Sequence, residues 1–441
     1  MTSSFGTGDL SLLHPLVGAD LRVPVGGEPR RYVDLDAAAT TSASAGVVRA
    51  VQEFLPWYSS VHRGAGAKSQ VTSARYEQAR ETLTRFVGAD PATHVALFPR
   101  NTTEALNLVA FRLGLTRDDV VVTTAVEHHA NLLPWQRHAQ LRVVDVDESG
   151  TYDAAAVVAA LDERPTPRVL AVSGASNVTG WLPDLAAITA AARDRGVLVV
   201  VDGAQLVPHR PVDMTALGID VLAWSGHKMF APFGASGLVV DRRLLADGEP
   251  FLVGGGAVKA VSHEEVVWAD TPDRDDAGTP NVIGVVALAA AAAELLAAGE
   301  RNRRHEDLLV RALDDELATV PGLRRLGPTS GDRLPVAAFV LDGMPHGEVA
   351  ERLAQEHGIG VRSGCFCAHP YLSRLFGLTP AEVQQFHDDA RAGRADRLPG
   401  AVRVSCSPAT PLADVATLGE ALRALTSRAA TRPAATAGQL R

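Results

Sequence analysis

The sequence predicts an α/β protein in which a large domain, built on a seven-stranded and mostly parallel β-sheet, precedes a smaller α+β domain. Between residues 95 and 240, short apolar segments alternate with amphipathic ones, which is the pattern of a sheet covered by helices on both faces. The chain has 441 residues, and 46% of them are hydrophobic. That length exceeds one ordinary core, so we expect at least two domains.

The N-terminal region is expected to contribute an arm and two helices. Residues 1–30 contain several Gly, Pro and Ser without a sustained period, which indicates an arm rather than a domain, and such arms often wrap a partner subunit. Helices are predicted at residues 45–54 and 70–87, the second with apolar residues at roughly helical spacing. Glycines in the loop between them allow His62 and Arg63 to be presented.

The large domain is predicted to span residues 31–299. Its helices are short and bounded by Gly, Pro or Asp, and no internal repeat is evident. The predicted strands are residues 95–98, 120–124, 142–146, 169–173, 197–201, 221–224 and 237–240. The predicted helices between and after them are residues 104–112, 133–139, 154–161, 185–195 and 282–298.

A smaller α+β domain is predicted over residues 300–428, with the N-terminal segment as a candidate contributor to it. Residues 429–441, rich in Ala, Thr and Pro without a period, are expected to form a disordered tail. Within the small domain we expect helices at residues 303–320, 347–358, 380–393 and 412–428, and strands at residues 336–341 and 401–406.

Composition argues against several classes of protein. The formal net charge is −9, with 42 Lys and Arg against 51 Asp and Glu, and no basic stripe alternates with aromatics, so no nucleic-acid partner is expected. Three cysteines cannot form a disulfide framework and the N-terminus lacks signal-peptide features, so we expect a cytoplasmic protein. The apolar run at residues 282–299 is interrupted by Glu294, which predicts a buried helix and no membrane span.

The first candidate site residues follow two of the predicted strands. Lys228 follows residues 221–224, and Asp202 and Gln205 follow residues 197–201. In open α/β sheets, ligands bind at the carboxyl ends of the strands. A lysine and an acid there suit pyridoxal 5′-phosphate, whose aldehyde forms a Schiff base with a lysine and whose pyridine nitrogen needs an acidic partner. The alternative is that both are turn residues.

Three further strand ends carry polar groups. Thr102 and Thr103 stand where a helix begins, so they could cradle a phosphate, although a simple N-cap is the alternative. His128 and His129 follow the next strand, where a neutral imidazole could stack on a pyridine ring. Adjacent histidines do not share a helix face, which argues against a common metal ion, and we expect no metal site. Asn177 follows a later strand and completes a ring of polar tips.

The segment from residue 362 to residue 370 contains Cys365, Cys367 and His369. Three interpretations compete: buried and inert thiols, a metal clip that would lack a fourth ligand, and a thiolate nucleophile on a flexible loop. The polar, glycine-containing surroundings favour the nucleophile.

Taken together, these motifs resemble the class V aminotransferase family of fold-type I pyridoxal-phosphate enzymes, and most closely its cysteine desulfurase and selenocysteine lyase branch. The resemblance runs from residue 32 to about residue 425 and keeps the order of the motifs. The matching motifs are Val-His62-Arg-Gly, Thr-Thr103-Glu, Glu-His128-His-Ala-Asn, Ser-Asn177-Val-Thr-Gly, Asp202-Gly-Ala-Gln, Ser225-Gly-His-Lys228, Ala-Gly278-Thr-Pro-Asn and Arg362-Ser-Gly-Cys-Phe-Cys367.

The resemblance implies a complete site for pyridoxal 5′-phosphate. Lys228 would form the Schiff base with the cofactor, Asp202 would pair with the pyridine nitrogen, and Gln205 would contact the ring hydroxyl. His128 would stack on the ring and take part in catalysis. The phosphate would be held by Thr102, Thr103, Ser225, His227 and, from the second subunit of a homodimer, Thr279.

The resemblance also implies a site for a small amino acid, L-cysteine or a relative. Asn177, beside the cofactor, and Arg403 would hold the substrate carboxylate, and His62 and Arg362 would complete the substrate site. The local pattern agrees for Arg403, because strand alternation places it on the opposite face from Val402 and its apolar neighbours.

The implied activity is the conversion of L-cysteine to L-alanine. Cys367, which the family loop favours over Cys365, would attack the substrate sulfur and hold it as a persulfide until an acceptor protein or a thiol collects it. The alternative within the family is a C–S or C–Se lyase, or a transaminase-type enzyme, that acts on another amino acid without a persulfide. A cofactor-binding scaffold without turnover is a third hypothesis, and intact Lys228 and Arg403 argue against it.

Two features depart from the family pattern. The interval between Cys367 and Arg403 is longer than in sulfur-mobilising desulfurases, and the helix predicted there at residues 380–393 is a candidate cover for the active site. The Gly-Cys-Phe-Cys sequence also resembles the loop of molybdenum-cofactor sulfurases. The physiological substrate and the sulfur acceptor therefore stay open.

Overall fold

The computed structural model describes residues 14–394 and 399–429. Residues 1–13 of the predicted arm and residues 430–441 of the predicted tail lie outside the described residues. In the described ranges the strands are β1 Arg22–Val25, β2 Glu28–Arg31, β3 Val33–Asp34, β4 His94–Leu97, β5 Val120–Thr124, β6 Gln140–Val144, β7 Val169–Ser173, β8 Leu198–Asp202, β9 Val221–Ser225, β10 Ser236–Asp241, β11 Val258–Val261, β12 Val266–Trp268, β13 Leu323–Leu326, β14 Val336–Leu341, β15 Ile359–Gly360, β16 Arg362–Gly364 and β17 Ala401–Ser405. The α-helices of the same ranges are α1 Ala45–Phe54, α2 Ala67–Phe86, α3 Thr102–Arg112, α4 Leu133–His138, α5 Ala154–Asp162, α6 Leu185–Asp194, α7 Met214–Leu217, α8 Val282–Ala318, α9 His346–His357, α10 His369–Leu375, α11 Pro380–Arg391 and α12 Leu412–Ala429.

A seven-stranded sheet forms the centre of the large domain, in the spatial order β4-β10-β9-β8-β7-β5-β6. Strands β5 to β9 run parallel to one another, whereas β10 is antiparallel to both β4 and β9. The predicted seven-stranded, mostly parallel sheet is confirmed. Strands β7 and β9 are buried along their whole length, because apolar clusters pack on both faces of the sheet, and this explains their continuous apolar sequence.

Strands β5, β7 and β14 have the predicted boundaries, whereas the other predicted strands differ from the observed ones by one or two residues. The clearest case is the edge strand β6, which begins at Gln140 rather than at residue 142. Gln140 pairs with Val120, and its amide donates a hydrogen bond to the Asp119 carbonyl at 2.9 Å. Most side chains of this edge strand are exposed or half-buried, so its apolar pattern does not reveal where the hydrogen-bonded ladder begins.

The helices predicted at residues 282–298 and 303–320 form one long helix, α8, with a kink at Gly299, where φ is 44° and ψ is −124°. The first part packs against α1 and α2 of the large domain, and α8 also packs against α12 of the small domain. By length and composition α8 could cross a membrane, but 56% of its most apolar window is buried inside the protein. Packing within the fold therefore accounts for much of its apolar surface.

The small domain contains a four-stranded antiparallel sheet in the order β13-β14-β17-β16. Val33 and Leu35 from the N-terminal region join its hydrophobic core, and β3 pairs in parallel with β15. The sequence did not predict β13, whose two central residues are arginines, or the three-residue β16. Both are short strands at the edges of the sheet, where pairing rather than apolar alternation defines the strand.

Helix α11 occupies the long segment between Cys367 and Arg403, as predicted. Its N-terminus is closed by a capping box in which the Thr379 side chain accepts from the Glu382 amide and the Glu382 carboxylate accepts from the Thr379 amide. Most of its side chains are exposed, although Asp389 is buried.

Candidate active site

A cavity of about 550 Å³ opens at the carboxyl ends of strands β5, β7, β8 and β9. All but two of the predicted site residues line it, although they come from distant parts of the chain. No described residue of α11 lines it, so this helix does not cover the site within one subunit. The predicted residues that line the cavity are Thr102, Thr103, His128, Asn177, Asp202, Gln205, Ser225, His227, Lys228, Arg362, Cys367 and Arg403.

The floor of the cavity presents Lys228 and Asp202. Lys228 ends a short 3₁₀ turn, Gly226–Lys228, directly after β9. A side chain at Gly226 would meet the Ala235 carbonyl oxygen at 2.4 Å, so this turn requires glycine. Burial lowers the pKa of Lys228 to about 8, although Asp202 opposes the shift. Burial also raises the pKa of Asp202, whose Oδ1 accepts a hydrogen bond from the Ala204 amide at 2.9 Å.

His128 and His227 are neutral groups beside this lysine. Burial, with Lys228 next in importance, lowers the pKa of His128 to about 3 and that of His227 to about 4. Nδ1 of His128 accepts a hydrogen bond from the Ala130 amide at 3.0 Å, so its proton resides on Nε2. A neutral imidazole of this kind can lie against an aromatic ring without the cost of desolvating a charge.

One end of the cavity is formed by the N-terminus of α3. The Ser225 hydroxyl, at the end of β9, accepts a hydrogen bond from the Thr102 amide at 3.0 Å and lies 2.7 Å from the Thr102 hydroxyl. Thr103 is exposed at the first turn of the same helix. Hydroxyls at a helix N-terminus suit a phosphate group, and the role of these residues as phosphate ligands stays a prediction.

Arg403 lies on β17 and is buried, with an exposed fraction of 2%. Its guanidinium donates hydrogen bonds to Asp36 Oδ1 at 2.8 Å and to the Asn177 carbonyl at 3.1 Å. Its Nε has no hydrogen-bond partner within the described residues. Nε of Arg362, a predicted substrate-site residue, lies 3.8 Å from Oδ2 of Asp36. The two arginines predicted for the substrate site therefore share one acidic neighbour that the sequence did not single out.

Cys365 and Cys367 belong to a tight turn in which the Ala368 amide donates to the Cys365 carbonyl at 3.0 Å. Phe366 and Cys367 both adopt left-handed backbone angles, with φ of 55° and 54°, an unfavourable conformation for residues other than glycine. Cys367 is exposed and Cys365 half-buried. Among the described residues no group of three or more His, Cys, Asp or Glu could hold a metal ion.

Asn177 and His129 hold this turn from outside. The Asn177 side-chain amide donates to the Phe366 carbonyl at 2.8 Å, and the His129 backbone amide donates to the Cys367 carbonyl at 2.8 Å. The predicted role of Asn177 in binding a carboxylate therefore competes with a structural bond to the loop. Asn177 lines the cavity, and its role beside the cofactor stays a prediction.

The sequence also missed Glu127, which is fully buried beneath the cavity. Its carboxylate accepts hydrogen bonds from the Ser173 amide and hydroxyl, at 3.0 and 2.6 Å, and from the side chains of Thr124 and Asn131, at 2.7 and 2.6 Å. Burial raises its pKa to about 7, against these hydrogen bonds. Hydrogen bonds to Glu127 connect the end of β5 to the end of β7. The only feature of the sequence that could have indicated this residue is its position directly before His128.

His62 and Thr279 do not join the other predicted residues within one subunit. Nε2 of His62 lies 2.9 Å from Oε1 of Glu77, on the neighbouring helix α2. Thr279 is exposed on the loop that precedes α8. Their predicted roles stay predictions.

Three features together define a pyridoxal-phosphate enzyme of the kind that the sequence indicated. They are the sheet, the buried Lys228 and Asp202, and the N-terminus of α3 at one end of the cavity. The model for the family described as Aminotransferase class-V matches residues 33–418, and the chain belongs to this family. It is 38% identical over 414 residues to "Probable cysteine desulfurase 2" of Mycobacterium leprae, covering 90% of this chain and 97% of that protein. It is 39% identical over 365 residues to the cysteine desulfurase of Dickeya dadantii, covering 80% and 87%.

Solved structures give the same result. The apo cysteine desulfurase of Thermococcus onnurineus matches with a TM-score of 0.80 and 31% identity, covering 90% of this chain and 95% of that one. The S-sulfonic acid form of a cysteine desulfurase from Escherichia coli matches with a TM-score of 0.75 and 34% identity, covering the same shares. The protein is thus a pyridoxal-phosphate-dependent enzyme whose relatives are cysteine desulfurases.

Proposed function

We propose that this protein converts L-cysteine to L-alanine with pyridoxal 5′-phosphate and holds the removed sulfur as a persulfide on Cys367. The observation that carries the proposal is that an exposed thiol lines the same cavity as a buried lysine. Cys406 provides the contrast: it is fully buried in the small-domain core, and burial raises the pKa of its thiol. An exposed thiol is suited to nucleophilic chemistry, whereas a thiol buried among apolar side chains is inert.

The residues at the floor and at the α3 end fit the cofactor. Lys228 would hold it covalently, with Asp202 at the pyridine nitrogen and His128 against the ring. Its phosphate would lie near Thr102 and Ser225, whose hydroxyls meet at the start of α3. Pyridoxal phosphate supplies an electron sink that makes the Cα proton of an amino acid labile.

Lys228 is the group that would move this proton. Its pKa of about 8 leaves a substantial neutral fraction near neutral pH, and a neutral amine can accept the proton from the substrate Cα. His128, with its proton on Nε2, stays neutral throughout this range. Arg403 would bind the substrate carboxylate, in an orientation fixed by Asp36.

The sulfur step forms one bond and breaks one. The Cys367 thiolate forms an S–S bond with the substrate sulfur while the Cβ–S bond breaks. The electron pair of the broken bond stays with the carbon fragment, which takes a proton and becomes alanine. One cysteine and one enzyme thiol thus give one alanine and one enzyme persulfide, without an external oxidant or reductant.

The proposal includes two partners. Thr279 is exposed and does not reach the cavity of its own subunit, so a homodimer in which it completes the partner's phosphate site supplies its predicted role. A groove along α8, lined by Trp57, Val286 and Ala290 among others, is the surface that a second copy would cover. An acceptor protein or a small thiol must collect the sulfur, and a reducing cytoplasm would keep the three thiols free.

The test compares two cysteines and two substrates. Cys367→Ala should lower alanine formation from cysteine about a thousandfold, a barrier increase of roughly 4 kcal/mol. It should retain much alanine formation from selenocysteine, because selenium leaves more readily and needs less help from a thiolate. Cys365→Ala is the matched control and should keep both activities. Near-parental desulfuration by Cys367→Ala, or pyruvate as the wild-type product, would favour the lyase alternative.

A further inference from the structure

His129 makes two hydrogen bonds to the main chain directly after Cys367. Its backbone amide donates to the Cys367 carbonyl at 2.8 Å. Its ring nitrogen Nε2 accepts a hydrogen bond from the His369 backbone amide at 3.2 Å. His129, from the loop that follows β5, therefore binds both the Cys367 carbonyl and the His369 amide. Only Ala368 lies between these two residues.

The second of these bonds replaces a local one that the sequence cannot supply. Helix α10 begins at His369, and the residue before it, Ala368, has no side chain that could accept a hydrogen bond from the first amides. The His129 ring provides an acceptor from 240 positions away. The rings of His129 and His369 also stack, with centroids 5.1 Å apart and planes 21° apart, which fixes the orientation of the acceptor nitrogen.

The turn requires external support of this kind. Phe366 and Cys367 both have left-handed backbone angles, which L-residues with side chains adopt only where the surroundings over-determine them. Asn177 holds the Phe366 carbonyl and His129 holds the Cys367 carbonyl. Loss of the His129 bonds would remove constraints on the main chain directly C-terminal to Cys367.

We propose that His129 is a positioning residue for the sulfur step: its backbone amide and its ring Nε2 hold the main chain next to Cys367, which fixes the Cys367 thiol in the cavity, and it contacts neither cofactor nor substrate. This inference rests on the proposed function. His128 lines the cavity, and His129 is not among the described residues that do. Nε2 of His129 can accept its hydrogen bond only in the neutral imidazole. Burial favours the neutral form because it lowers the pKa of His129, and His369 is a smaller cause of the same shift.

Three variants of the cofactor-loaded enzyme test the proposal. His129→Leu removes the acceptor, His129→Gln supplies an amide oxygen at a similar reach, and His138→Leu alters a histidine at the end of α4 as a matched control. His129→Leu should lower kcat for alanine formation from cysteine about tenfold, because a nucleophile that is held less firmly loses part of its orientation toward the substrate sulfur. Its KM, its cofactor absorbance and its activity with selenocysteine should stay near the parental values. His129→Gln should recover most of the loss, and His138→Leu should show none.

Amide hydrogen exchange provides a readout that does not depend on turnover. The amide of His369 should exchange faster in His129→Leu than in the parent, and at the parental rate in His129→Gln. Unchanged exchange and unchanged kcat in His129→Leu would overturn the proposal, as would an equal loss with cysteine and selenocysteine, which indicates general structural damage. Absence of alanine from cysteine in the parental enzyme would instead contradict the proposed function, while exchange of the His369 amide would still report on its bond to the His129 ring.

Discussion

Nη2 of Arg403 donates a hydrogen bond to Oδ1 of Asp36 at 2.8 Å, joining residues 367 positions apart in the chain. A second bond, from Nη1 to the Asn177 carbonyl at 3.1 Å, fixes the same guanidinium. Arg403 is buried and its Nε is unpartnered within the described ranges. This arrangement presents an oriented positive charge at the wall of the cavity, where the substrate carboxylate is proposed to bind.

Replacement of Arg403 by lysine tests this geometry. Lysine keeps the charge but replaces the planar guanidinium, with its separate nitrogens in a fixed orientation, by a single nitrogen. Arg403→Lys should therefore raise KM for cysteine on the order of tenfold or more. Cofactor absorbance should be unchanged. Arg374→Lys is the control, because Arg374 is exposed and pairs with Asp145 at the surface. Equal KM values for the two variants would show that Arg403 does not bind the substrate.

The apoenzyme should carry a pH-dependent cost of burying Lys228. Burial lowers the pKa of Lys228 from 10.5 to about 8, so below pH 8 both the folded and the unfolded states carry the proton and the full cost is present. As the pH rises from about 8 to 10.5 the folded state loses the proton first, and stability increases. Lys228→Met should therefore stabilise the apoenzyme at pH 7, by on the order of 3 kcal/mol.

Urea unfolding of the apoenzyme at several pH values measures this effect. The stability difference between Lys228→Met and the parent should shrink across the window from pH 8 to 10.5. Lys68→Met, at an exposed position of α2, should show no such trend. A difference that is independent of pH would mean that the lysine does not titrate as its burial requires.

The Ser225 hydroxyl should contribute to cofactor affinity. It joins the end of β9 to the first residue of α3 through the Thr102 amide and hydroxyl, and its loss leaves those groups without their partner. Ser225→Ala should weaken binding of pyridoxal phosphate to the apoenzyme by about tenfold, as measured by equilibrium titration. Ser427→Ala, at an exposed position of α12, should bind the cofactor as the parent does. A Ser225→Ala apoenzyme with the parental affinity would show that Ser225 does not belong to the phosphate site.

Thr279 can be tested by mixing two defective subunits. If it completes the phosphate site of the partner, a dimer of one Lys228→Ala and one Thr279→Ala subunit contains one site with both residues intact. Mixing the two variants should then restore cofactor affinity and turnover to one site in the mixed dimer. Failure to restore either, in mixed dimers isolated by two different tags, would place Thr279 outside the partner's site.

The sequence alone determined the sheet and most of the active site. Buried strands need apolar residues on both faces, so the runs at β7, β8 and β9 were visible without coordinates. Because parallel strands end at one edge, Lys228, Asp202 and His128 could be placed together from their positions after those runs. Residue chemistry then limited the cofactor, since few groups require a lysine and an acid at one site.

Only the tertiary structure showed how the reactive residues are held. Asp36 and His129 act through bonds to residues 367 and 240 positions away, and no local pattern specifies such distances. The short strands β13 and β16 exist because a neighbour pairs with them, so their sequences carry little signal. His62 and Thr279 matched motifs but lie apart from the cavity in one subunit, because a motif fixes residue type, whereas the packing of distant segments fixes position.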